Sequence, residues 1–599
     1  MKSLMLLWYQ IASEMAVRCC TSTTKDYEVV LSRSESEGIS FLTITLPNFG
    51  KDFERSLDQE FVDRRLFSGF RWKGGLPRFL GGFLDRIFDR DTGVLLENPC
   101  EEAIIAVRQL TLMFGKILLP CSDARTKNAF REFIKCEQEV ADHSTSMDLA
   151  DLDEFHRVAE VLFHDLFAYL DHKILIGEVI PAHGPGATAD KLRGNAKWRQ
   201  NVWTERLEEY LPSADFLVPN RSFEEELDAV HFLEPESEMP VSVITVPKTL
   251  KTPRIIAVEP TAMQYAQQAV RHEIYDYVDT DYRLRRMIGF RDQTPNQRLA
   301  REGSIVGTLA TLDLSEASDR VSNRLVQEML RDHLWLRGTV ESCRSFRADV
   351  PGHGVIHLAK YASMGSALTF PIEAMVFLTA VFVGIGRELN TPVDENLVKR
   401  YSHRVRVFGD DIVVPERFVR SVISSLELFG AKVNERKSFW NGLFRESCGK
   451  EYYAGTDVSI VRVRRMFPSS RRDAQGVISL VSLRNQLYFA GYWQTVKWLD
   501  EMIEKMLIHF PTVLPSSPVL GRHSFLGFET QKMGKRLHNP LVKGYIQVSS
   551  PPLDPLEGHG ALLKYLTKRS DKPSHDARHL ERSGRPRVVN IKLGYASAI

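Results

Sequence analysis

Arg404-Val405-Arg406-Val407-Phe408-Gly409-Asp410-Asp411-Ile412-Val413-Val414-Pro415 reads as a β-hairpin with an acidic tip. Two short runs rich in β-branched residues flank a turn of Gly and Asp, the composition of a tight hairpin. Two ionised carboxylates side by side at such a tip repel each other, so folding alone gives no reason to place Asp410 and Asp411 there. A divalent cation supplies the reason, because hard oxygen ligands suit Mg²⁺ or Mn²⁺. A lone Gly-Asp-Asp is also an ordinary turn; what shifts the reading is an ordered set of further elements.

Upstream, residues 305–314 are mostly apolar with small side chains, as a buried strand would be, and the run stops at Asp313. A helix-like pattern follows at Val321, Leu325, Glu328 and Met329. Asp313 therefore stands where a strand hands over to a helix, although an Asp in that position also serves as an N-cap. Three carboxylates from two neighbouring strands can hold two metal ions roughly 3.5–4 Å apart, an arrangement suited to in-line displacement at phosphorus.

Between the acidic elements lies Lys360-Tyr361-Ala362-Ser363-Met364-Gly365-Ser366-Ala367-Leu368-Thr369, running into an apolar stretch at 374–385. Small residues let a backbone approach a nucleic-acid strand, and hydroxyls bond a ribose 2′-OH. The same pattern fits a plain loop before a buried helix. In Val246-Pro247-Lys248-Thr249-Leu250-Lys251-Thr252-Pro253-Arg254, three cations recur every third residue between two prolines. An extended, pinned segment is expected, suited to a triphosphate and equally compatible with a solvated basic strand. Lys437 could donate a proton to leaving pyrophosphate, or be a surface lysine.

This order of elements resembles motifs F, A, B, C and D of RNA-dependent RNA polymerases. The detail is narrower. Asp313-Leu314-Ser315-Glu316-Ala317-Ser318-Asp319, Ser363-Met364-Gly365, Gly409-Asp410-Asp411-Ile412 and Phe444-Arg445-Glu446-Ser447-Cys448-Gly449-Lys450 resemble the replicase β subunit of single-stranded RNA bacteriophages, the leviviruses. His183-Gly184-Pro185-Gly186-Ala187-Thr188-Ala189-Asp190 and Ile44-Thr45-Leu46-Pro47 resemble that family's N-terminal half, so the likeness runs from about residue 40 to about residue 470.

The resemblance implies an α+β right-hand polymerase fold, with fingers, thumb and a palm made of an antiparallel sheet backed by helices. It implies Asp313, Asp410 and Asp411 as ligands of two Mg²⁺ ions, with Mn²⁺ as a substitute, and Lys437 as a catalytic proton donor. Lys248, Lys251 and Arg254 match the nucleotide-binding basic strand. Asp319, Ser363, Gly365 and Thr369 fall on the nucleotide-binding motifs, with ribose selection by Asp319, Ser363 or Thr369. Three departures stand out: Asp319 lies six residues after Asp313 where five is common among eukaryotic-virus polymerases, Glu373 replaces the usual Asn, and Phe408 replaces Tyr before Gly-Asp-Asp. Implied partners are an RNA template and product, ribonucleoside triphosphates, host elongation factors Tu and Ts, and a host ribosomal RNA-binding protein. The implied setting is the cytoplasm of an infected bacterium, with no membrane.

Composition agrees. At 599 residues the chain exceeds one compact core. Apolar content of 43% and charged content of 26% describe an ordinary globular protein. A net charge of +1 means that any RNA-binding charge must be local, as in Arg283 to Arg286 with Arg291, Arg462 to Arg465, Arg471-Arg472 and a basic stretch at 564–592. Seven cysteines without a Cys-x-x-Cys pair indicate neither a disulfide framework nor a zinc knuckle and fit a reducing compartment. The apolar start at 4–8 is too short and too weakly basic in its flank for a signal peptide. The apolar run at 374–385 is too short to span a bilayer and fits a core helix.

The expected organisation is 1–240 as N-terminal fingers with their link to the thumb, 241–300 as fingers with the basic strand, 301–430 as palm, 431–550 as the motif D region and thumb, and 551–599 as a basic tail. Pro551, Pro552 and Pro555 mark a linker, and the stretch beyond 570 is expected to lack order alone. The expected activity is template-directed RNA synthesis, in which a 3′-hydroxyl attacks the α-phosphorus of a ribonucleoside triphosphate. The rivals are a reverse transcriptase, which usually has a small or apolar residue in place of Gly409, a metal-dependent nuclease, and a non-catalytic RNA-binding protein.

Overall fold

Two hydrophobic cores, each drawn from distant parts of the sequence, organise the protein. The structure is a computed structural model that describes residues 1–550, 553–567 and 588–599. The first core joins residues from Leu4 to Ile117 with residues from Phe439 to Tyr545. The second joins Leu152 to Leu217 with Ala262 to Val433, plus Leu556 and Leu563. Segment 1–240 thus contributes to both.

In the first core, α1 (Lys2–Arg18) buries Leu4, Leu7, Trp8, Ile11 and Met15, the three- and four-residue spacing of one helix face. Trp8 Nε1 donates to the Leu110 carbonyl at 2.9 Å. α2 (Leu46–Gln59) and α3 (Glu101–Leu112) complete the N-terminal packing. Two long helices follow, α4 (Asp123–Ser146) and α5 (Leu149–Leu175), each N-capped by a side chain, Ser122 and Asp148 respectively.

The basic segment is a hairpin rather than one extended strand. β1 (Val241–Val246) ends before Pro247 and β2 (Arg254–Val258) begins after Pro253, and the strands pair antiparallel from Ser242–Val258 to Val246–Arg254. Proline lacks the N–H that the ladder needs, so the two prolines bracket the loop carrying Lys248 and Lys251. α6 (Thr261–Thr280) and α7 (Thr294–Val306) lead to β3 (Leu309–Leu312). The strand is shorter than its apolar run suggests: Ile305 and Val306 belong to α7 and are more than half exposed.

After α8 (Leu334–Ser342), strands β4 (Arg347–Val350) and β5 (Gly354–His357) join β1 and β2 in a four-stranded sheet of order β2-β1-β4-β5. α9 (Thr369–Glu388) is longer than the run at 374–385, because Pro371 is tolerated in its first turn. Its 20 residues reach the length and hydropathy of a membrane span, yet 94% of its most apolar window is buried inside the protein. It is apolar all round because other elements cover it all round.

β6 (Arg406–Phe408) and β7 (Asp411–Pro415) form the hairpin expected from the sequence. β7 also pairs antiparallel with β3, giving a three-stranded sheet of order β6-β7-β3. α9 and α10 (Val419–Leu428) pack on each other, α9 contacts β6, and α7 contacts all three strands. Burial on both sides explains why these strands read as continuous apolar runs rather than alternating ones. β8 (Phe444–Ser447) and β9 (Lys450–Tyr453) form a further hairpin against β3 and α7, followed by α11 (Ala474–Phe489) and α12 (Trp493–Met506).

The C-terminal stretch is not simply a tail. β10 (Pro540–Ser550) pairs along its whole length with β11 (Val588–Ser597), from Leu541–Ser597 to Ser549–Val589 and beyond, and α13 (Gly558–Thr567) buries Leu563 in the second core. The expected linker prolines 551 and 552, and the stretch 568–587, lie outside the described residues.

Candidate active site

The β6–β7 hairpin closes through a two-residue loop, since Phe408 pairs with Asp411. Gly409 occupies the first loop position with φ +61°, and a Cβ there would lie 2.4 Å from the Phe370 ring. Glycine is therefore required twice over, by conformation and by space. Asp410 takes the second loop position and is exposed, while Asp411 opens β7.

The β7–β3 register pairs Ile412 with Leu312, so the next positions outward, Asp411 and Asp313, face each other across the strand pair. The predicted carboxylates thus come together at one sheet edge. Burial pushes the Asp411 carboxyl up to about 7; a hydrogen bond from the Cys448 N–H opposes the shift, and the charges of Asp410, Glu446 and Asp313 add to it. Burial likewise raises Asp313, opposed by Lys437 and reinforced by Asp410 and Glu446.

The segment after α10 returns beside β3 and furnishes partners for Asp313. The Asn434 N–H donates to the Asp313 carbonyl at 2.8 Å, and Thr311 and Phe439 exchange N–H···O bonds. Lys437 Nζ therefore lies 3.1 Å from both Asp313 oxygens, and Asn434 Nδ2 donates to Oδ2 at 3.0 Å. Asp411 Oδ1 accepts from the Cys448 N–H at 3.0 Å and from the Ser447 hydroxyl at 3.3 Å. The β8–β9 turn thereby orients one predicted ligand and the post-α10 segment the other.

The basic loop reaches the same place. Lys248 is exposed, yet partial desolvation by the surrounding protein lowers its ammonium, Arg254 and Lys437 lower it further, and Asp313 and Asp410 pull it back up. Lys251 and Arg254 are exposed, Lys251 in the loop and Arg254 at the first position of β2. Leu250 is tied down through its carbonyl, which accepts from Arg125 Nη1 at 2.7 Å.

Asp319, Ser363 and Thr369 form one connected group. Asp319 Oδ1 accepts from the Ser363 hydroxyl at 2.8 Å and from Lys360 Nζ at 3.0 Å. The Thr369 hydroxyl donates to the Ser363 carbonyl at 2.8 Å, so Thr369, itself buried, acts on the loop. Gly365 has φ +138°, and a Cβ there would lie 1.9 Å from the Ala257 carbonyl oxygen. The Ala257 N–H in turn donates to the Met364 carbonyl at 3.0 Å, pinning the loop to β2.

Three participants had no role assigned from the sequence, Glu373 being noted there only as a departure from the usual Asn. Lys360 is fully buried between Asp319 and Glu137 Oε2 (3.2 Å), over the Phe133 ring at 3.6 Å. It opens the segment singled out by its Ser-Met-Gly, but nothing local marks a lysine as buried. Glu446 belongs to the quoted run 444–450, and only the fold brings its charge to Asp313 and Asp411. Glu373, only 5% exposed, faces Asp410 and Asp319 from α9. Burial, despite a bond with Ser318, pushes its carboxyl up to about 8, with the charges of Asp410 and Asp319 adding to the effect.

Glu373 is therefore mostly protonated near neutrality, and its shift makes a pH prediction. The folded value of about 8 exceeds the ordinary 4.5, so the folded protein binds this proton more tightly. Its contribution to stability is complete below pH 4.5 and is lost as pH rises through 8. Glu373→Gln, which stays neutral, is expected to gain stability relative to wild type as pH climbs across that window. Denaturant unfolding at a series of pH values reads the difference, and parallel curves for the two proteins would refute the assignment.

Comparison with known proteins supplies independent information. Residues 236–501 match the family of the RNA replicase β-chain. The chain is 33% identical over 306 residues to the RNA-directed RNA polymerase subunit beta of Enterobacteria phage SP, covering 49% of this chain and 48% of that one. It is 34% identical over 274 residues to the corresponding subunit of Escherichia virus Qbeta (45% and 42% covered), and 35% identical over 278 residues to the RNA-directed RNA polymerase beta chain of Escherichia phage MS2 (46% and 45%). The match spans a little under half the length of these relatives. Among solved structures, the BmCPV RNA-dependent RNA polymerase at its elongation state aligns with a TM-score of 0.36 at 12% identity, over 60% of this chain and 34% of that one.

Proposed function

We propose, from the match of residues 236–501 to the RNA replicase β-chain family, that this chain carries out template-directed RNA synthesis from ribonucleoside triphosphates, copying a viral RNA genome. The observation that carries the reading is the β7–β3 register, which sets Asp313 opposite Asp411 beside the exposed Asp410. On this reading the β6-β7-β3 sheet with its backing helices is the palm (301–430) of a right-hand polymerase. Residues 1–240 and 241–300 supply the fingers, 431–550 the thumb, and 551–599 the basic end.

The donor set fits two Mg²⁺ ions, with Mn²⁺ as a substitute: Asp313, Asp410 and Asp411 are hard oxygen donors whose charges raise the carboxyls of Asp313 and Asp411. When bound, such ions acidify an attacking 3′-hydroxyl and stabilise departing pyrophosphate. The protein's own part is positioning and charge. Lys248, Lys251 and Arg254 neutralise the triphosphate from the β1–β2 loop and the start of β2. Asp319 and Ser363 read the ribose, with Thr369 and Gly365 holding their loop in place. Lys437, whose Nζ lies 3.1 Å from both Asp313 oxygens, is the cation at this edge that would hold the proton for departing pyrophosphate. Host elongation factors Tu and Ts, and a ribosomal RNA-binding protein, are the proposed partners in the cytoplasm of an infected bacterium.

One gel tests the reading against its rivals. The purified chain, with and without bacterial lysate, is given Mg²⁺, RNA templates with a labelled primer, and either ribo- or deoxyribonucleotides. Primer extension with ribonucleotides is expected, and chelation of the metal should stop it. Extension with deoxyribonucleotides alone would indicate a reverse transcriptase, shortening of the primer a nuclease, and retention of RNA without incorporation a binding protein.

A further inference from the structure

A second cluster of metal-binding side chains lies apart from the acidic hairpin, on elements with no part in the reaction proposed above. Glu160 and His164 sit one turn apart on the same face of α5, and His333 immediately precedes α8. Glu160 bridges the two imidazoles: His333 Nε2 lies 3.0 Å from Oε1, and His164 Nδ1 lies 2.8 Å from Oε2. All three ligand atoms fall within 4.8 Å of one another, and among the described residues this is the group of His, Cys, Asp and Glu with that geometry.

The cluster is partly built and partly open. His333 is 6% exposed and is held by packing edge-on to Phe167, ring centroids 5.4 Å apart. Asp171 caps the start of α8 by accepting from the Leu336 N–H at 2.8 Å, which fixes the backbone beside His333. His164 is exposed, so solvent can complete a coordination shell. Asp165 and Asp332 add negative charge around His164.

We propose that Glu160, His164 and His333 bind one divalent transition-metal ion of the zinc class, stapling α5 to the start of α8. Two imidazole nitrogens and one carboxylate oxygen are a zinc donor set, whereas Mg²⁺ and Ca²⁺ take oxygen ligands throughout. Ligands bound at about 2.0–2.1 Å around a tetrahedral ion stand roughly 3.3 Å apart, and the three ligand atoms here already lie within 4.8 Å of one another, so side-chain shifts on the order of an ångström close the shell around one ion. Binding uses the lone pairs of His164 Nδ1 and His333 Nε2; the proton on each of these nitrogens moves to the other ring nitrogen or leaves to solvent. Because α5 also packs against α9, the ion would brace the helix layer behind the candidate active site without touching it.

The test uses the full chain, stripped with chelator and returned to excess Mg²⁺ so that the hard carboxylate site is filled. Titration with Co²⁺, followed by its visible d–d absorption, and with Zn²⁺ in competition with a chromophoric chelator, is expected to show one tight equivalent. His164→Ala, a change at an exposed side chain, should weaken binding at least about tenfold and remove the zinc-dependent rise in unfolding temperature, with RNA synthesis in Mg²⁺ unchanged. His333→Gln should do the same; should it fail to fold, His164→Ala decides alone. Absence of saturable binding, or unchanged affinity in His164→Ala, would overturn the proposal. Neither result depends on whether the chain polymerises RNA.

Discussion

Asp410→Asn is expected to reduce nucleotide incorporation by at least about 10³-fold while leaving the fold intact. The substitution conserves shape at an exposed loop position, so no packing is lost. It also removes a negative charge that raises the carboxyls of Asp411, Asp313 and Glu373, so stability should hold or rise slightly. What disappears is one of three oxygen donors for the cations. Unfolding midpoints and incorporation rates on the same preparations separate the two effects. Normal turnover of the variant with Mg²⁺ would rule out the carboxylate assignment. Loss of turnover together with a lowered midpoint would mean that Asp410 has a structural role instead.

Arg108→Ala is expected to cost about 3–5 kcal/mol of stability, the largest folding effect of any single change considered. Arg108 on α3 is fully buried, and its Nη2 lies 2.9 Å from Glu54 Oε1 on α2 and 3.0 Å from Glu451 Oε1 on β9. Its Nη1 also donates to the Val458 carbonyl. Lys51 adds an ion pair to Glu54 at 2.6 Å and a longer one to Glu446 at 3.6 Å, and Arg462 reaches Glu451 at 2.9 Å. Truncating Arg108 leaves two carboxylates inside the protein with Lys51 and Arg462 as their remaining cations, both at the edge of the network, and it opens a cavity. Denaturant unfolding measures the loss. Adding Glu54→Gln to Arg108→Ala should restore part of it, because one uncompensated charge is then gone. Since β8 and β9 are joined by the turn that bonds Asp411, incorporation should also fall. A variant as stable as wild type would show that the network is not energetically coupled.

Local chemistry announces some of this protein and is silent on the rest. The β6–β7 hairpin was legible because β-branched runs flank a turn of Gly and Asp. Boundaries were less legible. Ile305 and Val306 are apolar enough to extend β3, yet they ride on α7, and the segment around Lys248 and Lys251 folds back because two prolines break the ladder.

By itself, the amino-acid order determined which groups are available: three hard carboxylates, a triplet of cations, a hydroxyl-bearing loop with its glycine, and a hairpin to display two of the acids. Only the tertiary structure decided their company. Lys437 arrives at Asp313 through a strand-like return after α10, Lys360 is buried between Glu137 and Asp319, and Glu373 is held proton-bearing behind the site. The physical reason is that burial and electrostatic contact are properties of pairs far apart in the chain. A side chain's own sequence neighbourhood sets its conformation, whereas its charge state and partners are set by whatever the fold packs against it.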